Sequence, residues 1–115
     1  MKNFIILLLT CSALYAQTSA VALYEESQKA LSVGNIELAG EKMRAAIEAD
    51  KSNEKFRAEF DKLNNLRNKR NNANRAVQDG RFDDAIQGFG DVLQSVPNSA
   101  ESLYGTGKAL SLIHI

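Results

Sequence analysis

The sequence predicts an all-α protein made of successive helices joined by tight turns. Three observations carry that prediction. Only one proline is present in 115 residues, while alanine, leucine, glutamate, lysine, glutamine and arginine are abundant; these side chains lose little rotamer freedom in a helix. From Ala20 onward the apolar residues recur three and four apart, the spacing of one helix face. Gly34, Gly80 and Pro97 interrupt that spacing where a helix would end.

The elements follow in order. Residues 1–16 read as a secretory signal peptide. Lys2 supplies the positive start, Phe4-Ile5-Ile6-Leu7-Leu8-Leu9 the apolar core, and Ala16 the small residue at the cleavage point, with Ala20 as the alternative. The apolar run is shorter than the ~20 residues that cross a bilayer as a helix. Leu8-Leu9-Thr10-Cys11 is similar to a lipidation motif, but Thr10 stands where Gly, Ala or Ser is usual and Cys11 lies early. The reading therefore discards Cys11 with the signal rather than anchoring a lipid on it.

Residues 20–53 predict a helical hairpin. Ala20, Leu23, Tyr24, Ala30 and Leu31 form one stripe, Gly34-Asn35 the turn, and Ile36, Ala39, Met43, Ala46 and Ile47 the second stripe. Ser52 or Asn53 caps the next helix. That helix carries Phe56, Phe60, Leu63, Leu66, Ala73, Ala76 and Val77 without an intervening Gly or Pro, and ends at Gly80. Residues 54–65 are read as a helical extension or a linker, because Asn64-Asn65 leaves a local break open. Phe82, Ala85, Ile86, Phe89, Val92 and Leu93 mark a fourth helix, stopped by Pro97. Asn98 with Glu101 three positions on predicts a capping box for a fifth helix, with Leu103, Tyr104, Gly107 and Leu110 on its inner face.

Residues 66–99 resemble a tetratricopeptide repeat, a unit of about 34 residues. Ala73 and Ala76 stand in its first helix, Gly80 in its turn, Ala85, Phe89 and Val92 in its second helix, and Pro97 at its close. Residues 20–53 resemble a degenerate repeat, and residues 100–115 the first helix of a further one. The distance from Gly34 to Gly80 is 46 residues, twelve more than one repeat. The resemblance implies antiparallel helix-turn-helix units in a short right-handed α-solenoid that binds proteins. The last residues, Ser111-Leu112-Ile113-His114-Ile115, are similar to a translated sequencing-adapter tail. On that reading they are foreign and the natural protein continues; on the other they belong to the fifth helix.

Composition also bears on function. Fourteen basic residues balance fourteen acidic ones, whereas a protein that grips phosphates usually carries a basic excess; the expected partner is not a nucleic acid. One Cys and one His, Cys11 and His114, make neither an internal disulfide nor a four-ligand zinc site. His114 gives no usable base for a nucleophile, and Gly105-Thr106-Gly107-Lys108 lacks the strand and spacing of a phosphate loop. No catalysis, metal or cofactor is expected. The resemblance places Arg67, Arg70, Asn74 and Gln78, followed by Glu101, Tyr104 and Lys108, along a concave groove. There Arg70 and Lys108 would take a partner peptide's carboxylate, Asn74 its backbone and Tyr104 an apolar side chain. The expected function is an exported scaffold, periplasmic or in the cell envelope, that binds a protein or peptide. The alternative is a spacer or oligomerisation arm of a larger envelope protein.

Overall fold

The computed structural model describes residues 19–113. The signal segment 1–16 with its Ala16 cleavage point, Cys11 and His114 lie outside them, whereas the alternative cleavage point, Ala20, lies within them, buried in the first helix. Among the described residues five helices follow one another: α1 (19–32), α2 (Ile36–Ala49), α3 (Glu54–Gln78), α4 (Phe82–Ser95) and α5 (Ala100–Ile113). Each packs chiefly on its neighbours in sequence, α2 on α3, α3 on α4 and α4 on α5, and the molecule is elongated. That arrangement is solenoid-like and compatible with a generic helical-repeat fold.

The helix ends have local causes. Asn35 Oδ1 accepts from the Leu38 N–H at 3.1 Å and Asn53 Oδ1 from the Phe56 N–H at 3.2 Å, each satisfying an amide that the first turn leaves unpaired. α1 and α3 both end on a left-handed glycine, Gly34 at φ 83° and Gly80 at φ 79°. α3 runs unbroken through Asn64-Asn65 for 25 residues, about 37 Å at the helical rise. The segment 54–65 is thus the first half of one helix. Asparagine's weak helix preference costs only tenths of a kcal/mol per residue, and Phe56 and Leu63 anchor that half by burial.

A 46-residue shift relates the two halves in detail. The Asn35 N–H donates to Ala30 O at 2.9 Å and the Arg81 N–H to Ala76 O at 2.8 Å. The pairs Ala39 to Asn35 and Ala85 to Arg81, Asp50 to Ala46 and Val96 to Val92, and Asn53 to Asp50 and Ser99 to Val96 repeat in the same way. Burial repeats with them. Ala39, Met43 and Ala46 on α2 are fully buried, and so are Ala85, Phe89 and Val92 on α4. The 46-residue spacing is accommodated by the length of α3, which spans from one half to the other.

Two cores result. The first gathers Ala30, Ala39, Met43, Ala46, Phe56 and Leu63, with Tyr24 stacked on Phe56 at 5.2 Å between ring centroids. The second gathers Ala73, Ala76, Ala85, Phe89 and Ala109. Ile36, Val92 and Val96 join the halves, and Asn98 Nδ2 donates to Ser32 O at 3.0 Å, so the turn after α1 docks against the turn before α5.

α5 differs from the sequence reading in two respects. Its buried face is Ser102, Gly105 and Ala109, whereas Leu103, Tyr104, Gly107 and Leu110 point outward. A Cβ on Gly105 would overlap the Phe89 ring, so this close approach selects the register; a Cβ on Gly107 would meet nothing within 4 Å. The cap also moves by one residue. Asn98 is committed to Ser32, and Ser99 Oγ faces the Ser102 N–H at 3.4 Å.

Candidate functional site

Two helix beginnings converge on the middle of α3. Glu37 sits in the first turn of α2 and Glu101 in the first turn of α5, positions where the helix dipole favours a carboxylate. Arg70 lies between them, 5% exposed. Its Nη2 donates to Glu37 Oε1 and, at 3.3 Å, to Asn71 Oδ1. Its Nε stands 3.1 Å from Glu101 Oε2, close enough for an ion pair but without the alignment of a hydrogen bond. Arg67 reaches the same Glu37 at 3.9 Å and donates to Asn64 Oδ1 at 2.9 Å. Beside these charges opens a cavity of about 350 Å³, lined by Val33, Gly34, Ile36, Glu37, Arg70 and Glu101 among others.

This geometry corrects the role read for Arg70. A groove arginine that receives a partner's carboxylate must present a free guanidinium. Here two carboxylates of the same chain already hold it, and the helices around it exclude most of the solvent. Arg70 ties α3 to α2 and α5. Sequence reading missed Glu37, whose only local signal is its place in the first turn of a helix. Its partners lie 30 and 33 residues along the chain, beyond any helical periodicity.

The other groove residues fall differently. Asn74, Gln78, Tyr104 and Lys108 are exposed, Tyr104 at 74%. Among the described residues their side chains make no hydrogen bond or ion pair with the rest of the chain. Tyr104 and Lys108 are one turn apart on α5 and share a face, as Arg70 and Asn74 do on α3. The structure thus brings Arg67, Arg70 and Glu101 together around Glu37 and leaves four of the residues in solvent.

Among the described residues, no three His, Cys, Asp or Glu side chains gather as metal ligands, and no helix is long and apolar enough to cross a membrane. The chain matches no family model, and no curated protein or solved structure is similar enough to it to count as a match.

Proposed function

We propose that the chain is a tetratricopeptide-type interaction module, exported to the periplasm or cell envelope, that binds a protein or peptide without catalysing a reaction. The observation that carries this reading is the 46-residue recurrence of hydrogen bonds and buried residues. A unit repeated along an elongated body makes an extended surface rather than an enclosed pocket, and such surfaces suit extended ligands. The antiparallel, right-handed form of the solenoid belongs to the same proposal, as does export, which rests on Lys2 and the Phe4–Leu9 run.

With Arg70 engaged, the ligand-facing groups of this reading are Tyr104, Lys108, Asn74 and Gln78, with Arg67 at the edge. Tyr104 supplies a large amphipathic anchor and Lys108 a free positive charge. The test is capture from envelope fractions by the wild-type chain and by a Tyr104→Ala, Lys108→Glu variant of equal helicity. A partner held by the first and lost by the second supports the groove; identical capture rejects it. Cleavage of the exported protein, read by N-terminal sequencing, tests the signal separately.

A further inference from the structure

We infer that the outward stripe of α5, Leu103, Gly107 and Leu110, is a docking surface for one amphipathic helix that carries the same apolar pattern as α2 and α4. This inference rests on the apolar stripe and not on peptide binding by Tyr104 and Lys108; Lys108 enters it only as the charge that borders the stripe.

The chain itself shows what such a stripe receives. On α1, Leu23, Ser27 and Ala30 stand at positions i, i+4 and i+7, and α2 covers them: Ser27 and Ala30 are buried, and Ser27 Oγ donates to Ala39 O at 2.8 Å. On α3 the same spacing gives Lys69, Ala73 and Ala76. Both alanines are buried, and a Cβ on Gly88 of α4 would lie 3.0 Å from the Ala73 Cβ. On α5 the same spacing, 34 residues after α3, gives Leu103, Gly107 and Leu110. The middle residue is small each time, Ser, Ala and then Gly, and lets a second helix backbone approach. On α1 and α3 a helix lies there. On α5 no described residue does: Leu103 is 53% and Leu110 46% exposed, and the space over Gly107 is open.

Packing on α4 does not account for these leucines. α5 meets α4 through Ser102 and Ala109, as the first half of α3 meets α2 through Phe56 and Leu63, 46 residues earlier. At the places of Leu103, Gly107 and Leu110 that half carries Arg57, Asp61 and Asn64, all polar, the first two exposed and Asn64 half-buried. Where the outward face needs no cover the chain makes it polar; on α5 it is apolar.

The occupant follows from the two helices that fill the equivalent places. α2 presents Ala39, Met43 and Ala46, and α4 presents Ala85, Phe89 and Val92. The occupant is a helix with a small residue, then a bulky apolar one four positions on, then a further apolar one three beyond. Lys108 flanks the stripe and favours an acidic edge, which α4 has in Asp84 and Asp91. A second copy meeting on this face fits less well. The exposed apolar side chains of α5, Leu103, Tyr104, Leu110 and Ile113, are too few to reach the ~800 Å² per partner that stable pairs bury.

The probe is a peptide of residues 82–95, stapled across positions 83 and 87 so that helix formation does not limit binding. It is titrated against the whole chain by fluorescence anisotropy. Saturable one-to-one binding is expected, weakened at least tenfold by Leu103→Glu or Gly107→Leu in the chain and by Phe89→Glu in the peptide. Position is checked in a Cys11→Ser, Gly107→Cys chain with a Gly88→Cys peptide, since the equivalent Ala73 and Gly88 touch. A disulfide between the two is expected, and a peptide that displaces α4 from α3 would leave residue 107 unlinked. Absent binding, binding indifferent to residues 103 and 107, no cross-link, or a dimer of the chain that Leu103→Glu dissolves would each overturn the assignment.

Discussion

The ring of Phe89 occupies the space that a side chain on Gly105 would fill. Helix α5 reaches α4 this closely only because residue 105 ends at its Cα. Gly105→Ala should destabilise the protein by about 1–3 kcal/mol through overpacking. Gly107→Ala, two residues away on open helix surface, should stabilise it by about 0.5–1 kcal/mol by reducing backbone freedom in the unfolded chain. Urea denaturation of the two variants decides the matter; equal midpoints would show that the register of α5 differs from this one.

Gly34 and Gly80 form a second contrasting pair. Both hold left-handed backbone, so alanine at either is expected to cost roughly 1–2 kcal/mol. At Gly34 an added Cβ would also overlap the Asn98 carbonyl and lie 2.9 Å from Ser99 N, while at Gly80 it would meet nothing within 4 Å. Thermal unfolding of Gly34→Ala should therefore show the larger drop in Tm, and Gly80→Asn should come closest to wild type.

Arg70 is buried, but its two carboxylate partners are about half exposed. Removing the arginine frees carboxylates that water can solvate. Removing both carboxylates leaves a desolvated cation without a counter-charge. The double variant Glu37→Gln, Glu101→Gln should lose about 2–4 kcal/mol, more than Arg70→Met. Chemical denaturation of both variants gives the order, and the reverse order would mean that the guanidinium is better solvated than its position implies.

Lys42 and Glu26 form a surface pair at 2.8 Å that links α1 to α2. The hydrogen bond from Lys42 to Glu26, together with the attraction between their charges, raises the lysine above its ordinary value. A raised folded value means that the pair's stabilisation is present below the unfolded lysine value and fades as pH climbs through the folded one. Glu26→Gln should lower the Lys42 value in an NMR titration and leave stability at neutral pH almost unchanged, as is usual for exposed pairs.

Much of the helical framework was legible because its signals are local. Asn53 caps, Gly34 and Gly80 end helices, and alanines with Met43 or Phe89 repeat every three or four residues; the cap at Asn35, read only as part of a turn, came from the structure. The register of α5 was not legible. Its strongest apolar residues, Leu103 and Leu110, point outward, and the buried side consists of Ser102, Gly105 and Ala109, small side chains that give periodicity little to detect. Steric fit to Phe89 outweighs hydrophobicity there. Arg70 was misread for a related reason. Charge alone suggests solvent, and the carboxylates that sequester it arrive from helices far along the chain. Asn98 was read as a cap although a long-range bond to Ser32 competes for its side chain.

The length of α3 has a mechanical consequence. Its first half belongs to one core and its second half to the other, and no flexible joint separates them. A tug on either half is carried along a single ladder of backbone hydrogen bonds, and melting of one half frays the helix on which the other is built. The two cores are therefore expected to unfold together, as one strut and not as two beads on a string.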